Sequence, residues 1–148
     1  MQHKAIARLL LTLFAIIQAA ATLAIDLGPT HATNSQWPGH ARFHLVWQNL
    51  TTLLLSLLAT GLIWSPAPDR DGGFYLASIL AGIPMLSFLA ALVFRRYYAG
   101  TLSDPNGIPP AKVAFLGKER HIDLNLAAVV AGFIALAMIE GIYSWQSS

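Results

Sequence analysis

The sequence predicts an all-α integral membrane protein that folds as a four-helix bundle. Of its 148 residues, 55% are hydrophobic and only 11% are charged, and the mean hydropathy is +0.56. This composition is too apolar for an ordinary soluble domain. Four apolar stretches each approach the ~20 residues that a membrane-spanning helix needs. We therefore expect residues 1–148 to form a single transmembrane domain without a separate soluble module.

The first two spans are defined by their flanking residues. Lys4 and Arg8 precede the first apolar run, which is longer than the roughly 7–15 apolar residues of a signal peptide, so we interpret it as a retained span. Pro38 suits the first turn of the second helix, and Asn34 or Ser35 could cap that turn. The four expected spans cover residues 6–25, 38–64, 74–95 and 123–143.

The connectors fix which polar residues share one face of the membrane. The second connector, SPAPDRDGG, is short and rich in Pro and Gly, which indicates a tight turn between antiparallel helices. The third connector, residues 100–122, is longer and contains the turn signals DPNG and IPP. With four spans, the first and third connectors must lie on the same side. Four of the five histidines therefore share one end of the bundle: His31, His40, His44 and His121.

Charge and cysteine content exclude several classes of function. The formal net charge is only +2, so we expect no nucleic-acid partner, because nucleic-acid binding requires clustered basic residues. The chain contains no cysteine, which excludes disulfides and thiolate ligands. A metal would have to be held by nitrogen and oxygen ligands, and iron, copper and zinc are the expected candidates.

His40 and His44 are the first candidates for metal binding. Their i, i+4 spacing places both imidazoles on one face of the second helix, about 5–6 Å apart, as in HExxH sites, although the glutamate of that motif is absent. His31 and His121 are the expected further metal ligands, with Asp26 as an alternative. Two other interpretations stay open: acid/base or substrate-binding roles without a metal, and purely structural roles.

Charged and aromatic residues at the same end complete the expected site. We expect Asp26, Arg95 and Asp123 to act as catalytic groups. Arg95 could instead be an interfacial anchor. For Asp123, capping of the fourth helix is the favoured role. The expected substrate-binding residues are Trp37, Trp47 and Gln48.

The segment Thr30–His44 also carries a recognisable pattern. It reads THATNSQWPGHARFH and resembles a motif of small four-span membrane proteins of unassigned function, in which THxxN precedes WxxHAxFH. This resemblance implies a shared site without naming its reaction. The overall plan is similar to the DoxX-like and EXPERA-like membrane proteins in architecture alone, and architecture does not give function.

The leading functional hypothesis is a membrane-embedded enzyme that acts on a small lipophilic substrate at this histidine-rich site. A metal-dependent oxidoreductase is one form of it. A metal-free isomerase acting on lipid- or sterol-type molecules and a non-catalytic protein that binds a lipophilic ligand are the alternatives. The expected partners are membrane lipids, the lipophilic molecule and a second copy of the chain in a homo-oligomer.

Overall fold

The computed structural model describes residues 2–66, 68–103, 107–115 and 117–145. Four long helices dominate this part of the chain, which confirms the predicted all-α four-helix bundle. A short 3-10 helix, Arg95–Tyr98, extends the third helix, and two strands lie in the third connector. The elements are α1 (Gln2–Asp26), α2 (Gly39–Trp64), α3 (Arg70–Phe94), β1 (Ala111–Phe115), β2 (Lys118–Ile122) and α4 (Leu124–Ser144).

The outer surface of the bundle is apolar along every helix. Ile17, Leu54, Val93 and Met138 represent the four helices, and each of these side chains is more than half exposed. A soluble monomer rarely exposes contiguous apolar surface of this extent. All four helices are also long and apolar enough to cross a membrane, as expected for a multi-pass membrane protein.

Small residues bring α1 close to its neighbours. Ala7, Leu11, Ala15 and Ala19 recur every four residues on one face of α1 and are buried. Small side chains let helix backbones approach closely, which is the usual basis of helix packing in membranes. α1 packs on α2 and α4, while α3 packs on α2 and more sparsely on α4.

A polar clamp closes the bundle at the end opposite the histidines. Lys4 Nζ lies 2.8 Å from Asp71 Oδ2, and the Tyr143 hydroxyl donates to Asp71 Oδ1 at 2.6 Å. Phe74 stacks on the Tyr143 ring with centroids 3.6 Å apart and planes 5° apart. These contacts join the start of α1, the start of α3 and the end of α4. We call these four residues the polar clamp.

Packing is tighter at the clamp than at the histidine end. Met85 is the last buried residue of α3, and Leu136 is the first buried residue of α4. Because α3 and α4 are antiparallel, the halves that contain no buried residue lie together at the histidine end. The seam between these two helices is therefore packed less tightly there.

The third connector contains more structure than the sequence analysis predicted. β1 and β2 pair antiparallel, with Ala111 opposite Ile122, and Gly117 occupies the turn with a positive φ of 73°. The predicted IPP turn directly precedes this hairpin, whereas residues 104–106 of the DPNG turn lie outside the described residues. The predicted cap of α2 is wrong, because Pro38 takes the N-cap position and no side chain caps the helix.

Truncation of Phe74 tests the importance of the polar clamp. Phe74 is 0% exposed, whereas its neighbour Tyr75 is 43% exposed. Phe74→Ala should lower the free energy of unfolding by about 3 kcal/mol, because it leaves a cavity beneath the Tyr143 ring. Tyr75→Ala is the matched control and should cost clearly less. Denaturant titration of detergent-solubilised protein, followed by circular dichroism, measures both values; equal losses would contradict this packing.

Candidate functional site at the histidine end

Backbone turns hold the first connector, residues 27–38, against the end of α1. Ala32 N donates to the carbonyl of Asp26 at 2.9 Å. The side-chain oxygen of Asn34 accepts from Gln36 N at 2.9 Å, a local turn that asparagine often forms. These bonds give the connector a defined course and fix the position of His31.

His31 and Trp37 pack against each other within this connector. Their ring centroids lie 5.2 Å apart, and the planes meet at 69°. His31 Nδ1 is 2.9 Å from the hydroxyl of Thr30, which holds the orientation of the imidazole. In the described part of the chain, His31 Nε2 has no hydrogen-bond partner. One ring nitrogen is thus positioned by the protein, and the other is available to a ligand.

A pocket of about 310 Å³ lies between the first and third connectors. His31 and Trp37 line one side, and Thr101 and Ser103 line the other. Asn125, in the first turn of α4, contributes an amide. The prediction that these two connectors share one end of the bundle is confirmed. The volume falls within the range of small-molecule sites, and the lining combines an aromatic surface with a few polar groups.

The predicted pair His40 and His44 converges on one exposed face of α2. Their Nε2 atoms are 3.0 Å apart, and the rings are nearly perpendicular, at 87°. Trp47 stacks on His44 with centroids 5.7 Å apart, so it supports the pair and does not line the pocket. Gln48 is exposed one residue further on, and its predicted role in substrate binding stays a prediction.

The separation of the two Nε2 atoms suits two different arrangements. One imidazole can donate a hydrogen bond to the other at this distance. Alternatively, both nitrogens could bind one metal ion such as zinc, for which the metal–nitrogen distance is roughly 2.0–2.1 Å. Among the described residues, no group of three or more His, Cys, Asp or Glu is arranged to hold a metal ion. The structure therefore brings together His40 and His44 but not the four predicted ligands.

Asp26 forms a helix-to-helix contact. Its Oδ2 accepts from Asn49 Nδ2 at 2.9 Å, which joins the end of α1 to α2. Asn49 is only 2% exposed, and its Oδ1 has no partner in the described structure. The sequence analysis missed Asn49, although its i, i+3, i+7 spacing with Thr52 and Ser56 marks a polar stripe on the buried face of α2.

The other two predicted catalytic residues, Arg95 and Asp123, have different surroundings. Asp123 Oδ1 accepts from Leu126 N at 2.9 Å, which confirms its favoured role as the cap of α4. Arg95 lies in the 3-10 helix and is exposed. Within the described ranges it forms no ion pair. Arg95 and Asp123 therefore do not act as a pair in this arrangement.

His121 lies on the exposed β hairpin. It faces Lys112 across the strands, and its Nε2 is 3.2 Å from Glu119 Oε1. Lys112 Nζ contacts the same oxygen at 3.3 Å. All three side chains are more than half exposed. His121 lines neither the pocket nor the face that carries His40 and His44.

Replacement of Asp123 tests its role as the cap of α4. Asp123→Ala should lower stability by about 1 kcal/mol, because the first turn of α4 loses its cap, whereas Asp123→Asn should retain the cap. Denaturant titration compares the stability of the two variants. Wild-type stability in Asp123→Asn supports a capping role. An equal loss of stability in Asp123→Asn and Asp123→Ala would contradict it.

Comparisons with protein-family models, with curated proteins and with solved structures give no match for this chain. The resemblance of Thr30–His44 to small four-span membrane proteins therefore stays a prediction.

Proposed function

We propose that this chain is a multi-pass integral membrane protein that binds a small lipophilic molecule at the histidine end. A polar or unsaturated group of that molecule would occupy the pocket between the first and third connectors. The observation that carries the proposal is the position of His31, which lines this pocket with one ring nitrogen held by Thr30 and the other without a hydrogen-bond partner among the described residues.

The residues around the pocket provide three kinds of interaction with a polar or unsaturated group. Trp37 supplies an aromatic surface for an unsaturated or ring-containing group. Asn125 can both donate and accept hydrogen bonds. His31 supplies an imidazole, the side chain that most often transfers protons in enzymes, and isomerisation requires a proton to move between two positions of one substrate. The metal-free interpretation, isomerisation or simple binding, is therefore the one that the pocket favours.

Loss of the imidazole tests this proposal directly. Lipophilic compounds that co-purify with the wild-type protein in mild detergent can be extracted and identified by mass spectrometry. His31→Ala should retain the bound compound at least about tenfold less, which corresponds to about 1.4 kcal/mol. His121→Ala is the matched control, because His121 is exposed on the hairpin, and it should retain the compound fully.

Two results would contradict the proposal. One is an identical set of bound compounds in the wild-type protein and His31→Ala. The other is a loss of the compound in both histidine variants, which would indicate a general effect on the histidine end. Trp37→Ala provides a second test of the pocket, since it removes the aromatic wall while leaving the imidazole in place.

A second candidate function is favoured by the convergence of His40 and His44. With 3.0 Å between their Nε2 atoms, the pair could hold iron, copper or zinc, with the remaining coordination positions filled from outside the described residues. This arrangement would support the metal-dependent oxidoreductase hypothesis. It differs from the first proposal because the pair lies on an exposed face of α2 and does not line the pocket.

Metal analysis distinguishes the two candidates. If the pair is a metal site, purified wild-type protein should contain near-stoichiometric metal, and His40→Ala/His44→Ala should lose at least about 90% of it, because one helix then presents no chelating pair. His121→Ala should keep its metal. If the wild-type protein binds no metal after incubation with zinc, copper and iron, the metal-dependent candidate is wrong, and the pocket proposal is unaffected.

A further inference from the structure

A second cavity at the histidine end lies where the seam between α3 and α4 is packed less tightly. It is an open groove of about 740 Å³, within the size range of small-molecule sites. We call it the arginine groove. Its lining residues are Leu92, Val93, Arg95, Arg96, Tyr97, Leu102 and Leu126.

The arginine groove carries two cations without a carboxylate partner among the described residues. Arg95 and Arg96 both line it, and no carboxylate is among its lining residues. Throughout the described residues, neither guanidinium forms an ion pair. A guanidinium group binds carboxylates through two parallel N–H···O bonds. The groove is therefore complementary to an anionic head.

The remaining walls of the groove suit an apolar chain. Leu92 and Val93 belong to the last two turns of α3, and Leu126 belongs to the first turn of α4. None of these helix segments contains a fully buried residue, because the two helices are tightly packed only nearer the polar clamp. Leu92 and Leu126 are half-buried and Val93 is 72% exposed, so apolar surface lies directly beside two cations.

The arginine groove adjoins the pocket that contains His31. Leu102 lines both cavities. The consecutive residues Asn125 and Leu126 line the pocket and the groove, respectively. One molecule could therefore extend across both cavities, passing Leu102.

We propose that the ligand of this protein is a lipid anion with a carboxylate head. Arg95 and Arg96 bind the carboxylate, the apolar chain lies along Leu92 and Val93, and a further polar or unsaturated part of the molecule enters the pocket beside His31. This inference rests on the proposed function and names its substrate class. It gives Arg95 a binding role where the sequence predicted a catalytic one.

A matched pair of photoreactive probes tests this inference. The probes are a tagged long-chain fatty acid and the fatty alcohol with the same chain and diazirine, so that they differ only in the charge of the head. Wild-type protein is reconstituted in phosphatidylcholine nanodiscs at alkaline pH, where the acid is ionised, and labelled peptides are mapped by mass spectrometry. The acid should label 92–102 and 126 at a concentration at least about tenfold lower than the alcohol.

Two double variants identify the origin of this preference. Arg95→Gln/Arg96→Gln should label with the acid no better than with the alcohol. Lys112→Gln/Lys118→Gln removes two cations from the hairpin at the same end and should keep the wild-type preference. Circular dichroism confirms that both variants are folded.

Three outcomes would overturn the inference: equal labelling by the two probes, an unchanged preference in Arg95→Gln/Arg96→Gln, or complete competition by excess phosphatidylglycerol. The last would identify the groove as a site for bulk anionic phospholipid. If one of these occurs while the wild-type protein still retains a compound that His31→Ala loses, the lipid-anion inference alone fails. If acid-selective labelling occurs but no retained compound depends on His31, the proposed pocket function fails.

Discussion

The contact of Asp71 with Lys4 and Tyr143 determines which end of the bundle is closed. It brings three helix ends together in one place, and the stacking of Phe74 on Tyr143 fills the space beneath it. Helices in a membrane gain little from the hydrophobic effect, because lipid is as apolar as their side chains. Specific polar contacts and close packing must therefore provide the association, and here they are concentrated at the polar clamp.

The histidine end of the bundle is packed less tightly than the clamp end. α1 and α2 are joined there by Asp26 and Asn49, whereas α3 beyond Met85 and α4 before Leu136 contain no buried residue. Two adjoining cavities lie between these helix ends and the connectors. These cavities combine apolar side chains with His31, Arg95 and Arg96, which is the basis for proposing an amphipathic ligand.

The sequence predicts the four helices and the side on which each connector lies, because both follow from the apolar runs and their number. Long apolar runs predict the four helices, and helix count alone places the first and third connectors together. The i, i+4 spacing predicts the convergence of His40 and His44, and the residue type of Asp123 predicts its cap. Each of these predictions depends only on residues that are close in the sequence or on the number of helices.

Contacts between distant residues could not be predicted in the same way. The partners Lys4, Asp71 and Tyr143 are separated by most of the chain, and no local pattern relates them. Asn49 lies in an apolar helix, where its sequence context does not identify Asp26 as its partner. The hairpin was missed because its strands are only five residues long, and the Leu-Gly pair between them is not one of the dipeptides that mark a two-residue hairpin turn. The pocket itself arises from two connectors that only the packed bundle brings together.

Cross-linking between the two connectors tests the central claim most directly. The chain contains no native cysteine, so Trp37→Cys/Ser103→Cys introduces two thiols, one from each connector that lines the pocket. A short bis-maleimide should link these two positions within one molecule in the membrane. Trp64→Cys/Ser103→Cys, with its thiols at opposite ends of the bundle, should form no such link. Absence of the first link in a folded variant, or formation of the link only between separate copies, would contradict the existence of a pocket between these connectors.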